Sequence, residues 1–312
     1  MKFILRMGFS SGASTEVAFI RSCNGMVFID FKNRRVVKAC APQKAEPLFI
    51  ENELAAQKSL PGNTPMIYES GVFRDDIAYT LSEYLLPKSK ASFRTWRSDL
   101  VSVLPLLFKN YIFHGLKSIP AETHRIYLLS ELSHCEGLQK FTSLTREIRI
   151  LFETLVPSEP VDKKIHLLFC HGDLVPNNLI KADKVYLFDW ANGGWQNAYY
   201  DLMMQQFYFK NSPLWKDFGK IALDDLDRYT FGFAAPHLQM LLKNFQISDS
   251  LEDIKKNFIY AIVELVIKNC RRYQFHPSEL TNREDMLQTA FSILKLLHQS
   301  LNKSIARKID HR

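Results

Sequence analysis

Two acidic residues and an amide stand close together in the middle of the chain. They lie in His171-Gly172-Asp173-Leu174-Val175-Pro176-Asn177-Asn178 and then in Leu187-Phe188-Asp189-Trp190. One carboxylate can orient a hydroxyl and accept its proton, while an amide oxygen and a second carboxylate can ligate a hard divalent cation; phosphoryl transfer asks for this set. In that reading Asp173 is the base and Asn178 and Asp189 are the Mg²⁺ ligands. His171 braces the loop through backbone hydrogen bonds, since a base is already supplied. Singly, each of these could be a turn residue, because Asp and Asn favour turns. Their joint spacing is what points to chemistry.

The elements that must hold them can be read from the hydrophobic pattern. Ile165 to Cys170 is an apolar strand running into His171, Leu179-Ile180 opens a second strand, and Val185 to Phe188 delivers Asp189 at its end. The three polar groups are therefore expected to converge at one edge of a small set of hairpins. Upstream, Glu16–Ser22, Met26–Phe31 and Arg35–Cys40 read as strands of an antiparallel sheet. Asn24-Gly25 forms the first turn, because both residues tolerate positive φ. After Pro47 the spacing of Phe49, Ile50, Leu54 and Leu60 is helical and stops at Pro61-Gly62. Strands resume at Met66–Tyr68 and Ile77–Tyr84, and Leu85-Leu86-Pro87 reads as a connector. The expected division is a β-rich lobe over 1–86 and a mostly helical lobe over 87–312. Helical periodicity covers Ser92–Leu155, interrupted at Pro105 and Pro120, and returns from Asn197 to Leu301. The pattern contains no internal repeat and no low-complexity tract.

His171-x-Asp173-x-x-x-x-Asn178, with Phe188-Asp189-Trp190 following and Tyr200-Asp201-Leu202 further on, resembles the signature of the aminoglycoside phosphotransferase and choline kinase family. The resemblance implies a bilobal, protein-kinase-like α+β fold with ATP and Mg²⁺ as cofactors. It also implies a small-molecule hydroxyl as acceptor: a sugar, an amino alcohol such as choline or ethanolamine, or an aminoglycoside. Such a fold needs a Lys on its third strand to hold the phosphates and a helical Glu to hold that Lys. Lys38, in Val36-Val37-Lys38-Ala39, fills the first position and Glu53 the second. Glu51 competes with Glu53, but Asn52-Glu53-Leu54-Ala55-Ala56 is the more similar to the family pattern. By the same resemblance Asp201 is a carboxylate bracing the catalytic loop, and Glu83-Tyr84-Leu85 is the hinge whose backbone holds adenine, so Glu83 and Leu85 are nucleotide-binding. Gly8–Ser14 and Ser22–Gly25 both offer a loop to cover the phosphates; spacing from Lys38 favours the second, and with it Gly25. One departure stands out: the Glu often found two residues after the metal-binding Asp is Ala191 here.

Composition sets the outer bounds. Of 312 residues, 46% are hydrophobic and 23% charged, a globular balance that excludes wholesale disorder and fibrous classes. The net charge of +7 suits an anionic ligand as well as it suits plain solubility, and basic residues are scattered, so no nucleic-acid groove is expected. Five cysteines at irregular spacing, with no CxxC, fit neither a disulfide framework nor a zinc site, and reduced thiols in a cytoplasmic protein are expected. Arg6 breaks the only apolar stretch at the N-terminus and Glu264 breaks the run from Tyr260 to Ile267, so neither a signal peptide nor membrane insertion is expected. Trp190, Trp195, Tyr199 and Tyr200 could line an acceptor pocket or fill the core. Cys170 beside His171 reads as core, because adjacent strand residues face opposite ways. Two readings compete with a small-molecule kinase: a nucleotide-binding pseudokinase that regulates a partner, and a protein kinase. The sequence does not set the oligomeric state.

Overall fold

The structure is a computed structural model that describes residues 17–22, 25–40, 48–73, 77–90, 96–137, 141–207, 241–247, 249–275 and 280–310. The chain divides into two compact units, 1–110 with 175–193 and 111–174 with 194–312. The expected boundary at Leu86 falls inside the first of these, and the segment that carries Asn178 and Asp189 returns to it. The candidate loop at Gly8–Ser14, and Cys23 and Asn24 of the alternative, lie outside the described residues.

The first unit is built on a five-stranded antiparallel sheet in the order β1-β2-β3-β5-β4, with β1 Val17–Ser22, β2 Gly25–Asp30, β3 Arg35–Cys40, β4 Ile67–Phe73 and β5 Ile77–Glu83. Asp30 closes the β2–β3 turn by accepting from the backbone N–H and the side-chain amide of Asn33, at 2.9 and 2.7 Å. Strand alternation then sorts β3. Val37 and Ala39 join Phe28, Tyr79 and Leu81 in a buried cluster, while Val36 and Lys38 are presented on the opposite face, Lys38 opposite Val27 and Thr80 in register. Gly25 is required by packing: a Cβ there would lie 2.1 Å from the carbonyl oxygen of Ala39. Helix α1, Phe49–Ser59, seats Phe49 against Cys40, Ala78 and Ala191. A second, three-stranded sheet joins the hairpin of β9 Leu179–Lys181 and β10 Val185–Leu187 to the short β6 Ser89–Lys90.

In the second unit β8, Lys164–Cys170, lies between β7 Lys117–Pro120 and β11 Gly194–Asn197. This corrects the expected hairpin arrangement, since β8 pairs with β7 and β11 and not with the strand at Leu179. Periodicity missed β7 and β11 because four-residue strands are too short to show a period against helical flanks. Pro105 also departs from expectation, lying inside the continuous helix α2, Trp96–His114. The carbonyl it leaves without a helical donor belongs to Val101, which is 54% exposed and so can be hydrated. Helices α3 Ala121–Glu136, α4 Thr142–Leu155, α5 Tyr200–Phe207, α6 Leu251–Phe275 and α7 Leu280–Asp310 follow. Phe258 to Val263 of α6 are all buried, as expected of a helix at the centre of a unit. Its Glu264 is satisfied by His124 at 2.9 Å and by the backbone N–H of Asn197 at 3.1 Å. Among the described residues no helix is long and apolar enough to cross a membrane.

Candidate active site

In the first unit the side chains of Lys38, Glu53 and Asp189 meet. Lys38 Nζ lies 3.0 Å from Glu53 Oε1 and is also paired with Asp189 Oδ1. Glu51, one residue before Asn52 on the same helix, is exposed, so the pairing separates the two candidates by which face of α1 each occupies. The Lys38 side chain is only 16% accessible. Burial alone would lower its pKa, but the carboxylates of Asp189 and Glu53 outweigh that and hold the ammonium above its ordinary value.

Asp189 reaches Lys38 through an unusual backbone. Its φ of 62° and ψ of 57° are left-handed, a conformation that costs a non-glycine residue about 1–2 kcal/mol. The chain leaves β10, reverses at Asp189 and enters a tight turn at Trp190–Asn192. Asn178 closes the short turn Pro176–Asn178, and its carbonyl accepts from the N–H of Phe188 at 3.1 Å. The β9–β10 hairpin thereby brings the residue before Asp189 against Asn178. A cavity of about 180 Å³ opens on Lys38, Glu53, Asp189 and Phe188, with Val27, Val36, Pro65, Ile67, Thr80 and Ser82 completing its wall. It is apolar toward Val36 and Ile67 and charged at Lys38, the division a nucleobase joined to phosphates requires. At the end of β5 the amide of Glu83 is given to the carbonyl of Met66 and that of Tyr84 to Arg34, at 2.8 and 2.9 Å, and Leu85 is buried.

The catalytic-loop candidates His171 and Asp173 belong to the second unit. Gly172 has a φ of +77°, which a glycine adopts freely, so the strand can turn sharply at its end. Asp201, 1% exposed in the first turn of α5, holds that turn. Its Oδ2 accepts from the N–H of His171 at 2.8 Å and from Tyr111 Oη at 2.9 Å, and its Oδ1 accepts from the N–H of Gly172 at 3.0 Å. His171 is fully buried, and its Nδ1 faces the N–H of Asp173 at 3.3 Å. A ring nitrogen so placed accepts from the backbone and orients Asp173. Tyr111 was not singled out by the sequence, since a Tyr inside an apolar helix carries no local sign of its partner. Burial, and then Asp201, push its phenol well above the ordinary value, keeping it a donor. Asp201→Ala would strand three donors and is expected to cost about 3 kcal/mol in urea denaturation. A loss below about 1 kcal/mol would show that the carboxylate does not carry the loop.

Of the four aromatics Trp190, Trp195, Tyr199 and Tyr200, all but Trp195 are fully buried and serve the core. Trp195 is half-buried under Lys117 Nζ, 3.9 Å from its ring centroid. Burial and the nearby Asp201 push the Cys170 thiol well above its ordinary value, which excludes it as a nucleophile. Among the described residues no cluster of three or more His, Cys, Asp or Glu could hold a metal on its own. Asn178 and Asp189 offer an amide oxygen and a carboxylate oxygen, hard donors of the kind Mg²⁺ accepts while phosphates and water complete its shell.

Residues 119–233 match the family described as the phosphotransferase enzyme family. No curated protein matches the chain. Among solved structures, a choline/ethanolamine kinase family protein from Mesorhizobium loti superposes with a TM-score of 0.51 at 13% identity, over 95% of this chain and 93% of that one. A thermostable mutant of aminoglycoside phosphotransferase APH(4)-Ia gives 0.56 at 11% identity, over 94% and 97%. A ternary complex of a further variant of that enzyme with ADP and hygromycin B gives 0.55 at 9%, over 95% and 97%. At such identities the structures speak for the fold, and the expected kinase-like α+β architecture is borne out. With the family match, so are the resemblance and the expectation of a kinase-type phosphotransferase.

Proposed function

We propose that this kinase-type phosphotransferase moves the γ-phosphate of ATP onto a hydroxyl of a small molecule. One observation carries the reading: a single lysine pairs with a helical glutamate and with an aspartate forced into a left-handed backbone, all three on the wall of one cavity. Non-glycine residues in left-handed backbone gather at functional sites, which supports reading this cluster as a phosphate clamp beside a metal ligand.

In this reading the apolar wall of Val27, Val36 and Ile67 takes the base of the nucleotide. By the resemblance, the backbone of Glu83-Tyr84-Leu85 is assigned to adenine. Lys38 binds the α- and β-phosphates, and Glu53 keeps its ammonium extended. Asn178 and Asp189 would hold Mg²⁺, which when bound neutralises phosphate charge. Asp173 orients the acceptor hydroxyl and accepts its proton as the oxygen attacks phosphorus. His171 and Asp201 keep Asp173 in place through the backbone.

The acceptor is proposed as a sugar, an amino alcohol or an aminoglycoside. Two measurements test this reading. ATP with Mg²⁺ is expected to raise the melting temperature by several degrees. ADP release is then expected with one member of a panel of choline, ethanolamine, sugars, homoserine and aminoglycosides. Nucleotide binding without turnover on any acceptor, together with a partner protein recovered from the source cell, would favour the pseudokinase reading instead.

A further inference from the structure

Asn52 stands beside Glu53 on α1, is 6% exposed, and donates from Nδ2 to the carbonyl oxygen of Gly193 at 2.6 Å. Gly193 closes the turn that follows Asp189, its own N–H donating to Trp190 O at 2.7 Å. The contacts form a closed circuit. Glu53 holds Lys38, Lys38 holds Asp189, the chain runs from Asp189 through the turn to Gly193, and Asn52 returns it to the helix that carries Glu53. Inside the circuit Ala191 is 2% exposed and packs in the cluster of Cys40, Phe49 and Ala78. A Glu at position 191 would have to put its charge in that apolar contact, so Ala suits a turn that is pressed against α1.

We infer that Asn52 is a positioning residue for the metal-binding aspartate: it locks α1 to the turn after Asp189, so that Glu53, Lys38 and Asp189 are set as one piece. This rests on the proposed function for what the piece does, and on the geometry above for its existence. Adjacent helical residues project about 100° apart, so one helix can address Lys38 through Glu53 and the turn through Asn52 at the same level. The bond is short and buried. Losing the donor leaves the Gly193 carbonyl unsatisfied and frees the turn that begins at Asp189 to shift.

Asn52→Leu and Asn52→Asp keep the side-chain volume and remove the donor. In both, the Mg²⁺ concentration needed to support binding of the non-hydrolysable ATP analogue AMP-PNP is expected to rise about tenfold, read by calorimetry. The NMR resonance of the Trp190 indole N–H, assigned with Trp190→Phe, is expected to move in the ligand-free variants. A variant that melts lower but keeps the wild-type Mg²⁺ dependence shows a merely structural residue and overturns the inference. An unmoved indole resonance overturns it too, without any nucleotide. Failure of the wild-type protein to bind AMP-PNP with Mg²⁺ overturns the proposed function instead, and the indole resonance still decides whether Asn52 positions the turn. If neither variant folds, the side-chain amide of Asn52 in the unsubstituted protein decides: slow solvent exchange supports the inference, and exchange at the rate of an exposed Asn overturns it.

Discussion

Asp173→Asn is expected to lower kcat by about 10³-fold while leaving the affinity for AMP-PNP with Mg²⁺ within about twofold of wild type. The substitution is nearly isosteric, and the backbone of the loop has supports of its own. The turn is fixed by Gly172 in its left-handed conformation, by Asp201 on the N–H groups of His171 and Gly172, and by His171 Nδ1 on the N–H of Asp173. What the variant loses is the ability to take a proton. Because that proton leaves the acceptor hydroxyl only as the oxygen attacks phosphorus, the loss belongs to the transition state and not to substrate binding. The split between kcat and nucleotide affinity is the useful readout, with an unchanged melting temperature as the control for folding. Turnover persisting within about tenfold of wild type would mean that Asp173 is not the base.

How far the sequence reaches depends on whether a residue's signal is local. His171, Asp173, Asn178 and Asp189 are legible because one hairpin and two turns hold them, so their spacing survives as a linear pattern. Lys38 is legible because a charged residue inside Val36-Val37-Lys38-Ala39 contradicts the strand around it. Choosing Glu53 over Glu51 needed the resemblance, since one turn of an amphipathic helix allows either, and in the fold Glu53 is the one that pairs with Lys38. Tyr111 and Asn52 carry no such mark. Tyr111 meets Asp201 90 positions away, and Asn52 meets Gly193 across 141 positions, so each is defined by a partner that no local window contains. The short strands β7 and β11 are a related case, because they exist through pairing with β8 and not through their own periodicity. The left-handed backbone at Asp189 was likewise not legible, since Asp visits positive φ more often than most residues but still only occasionally, and nothing else in Phe-Asp-Trp marks it.

Lys38→Met is expected to abolish detectable phosphoryl transfer, a fall of about 10² or more, and to cost about 2 kcal/mol of stability at neutral pH. Both effects follow from one ammonium serving two carboxylates. Its pKa is held above the ordinary lysine value of 10.5, so the stabilisation it brings is fully present below that value and is lost only as the pH rises through the higher folded one. Between about pH 6 and 9 the cost of the substitution is therefore expected to be flat. Methionine fills the space of the lysine stem but removes the ammonium that pairs with both Glu53 and Asp189. Adding Glu53→Gln to Lys38→Met removes one of the two charges. About half of the lost stability should return, measured by urea denaturation, with no return of activity. Those two outcomes separate the functions of the cluster: its charge balance decides how well the first unit folds, whereas only an ammonium at this position can bind the phosphates. If the double variant gained no stability, the two carboxylates would not be coupled through Lys38. If it regained turnover, the phosphates would have to be held by another cation.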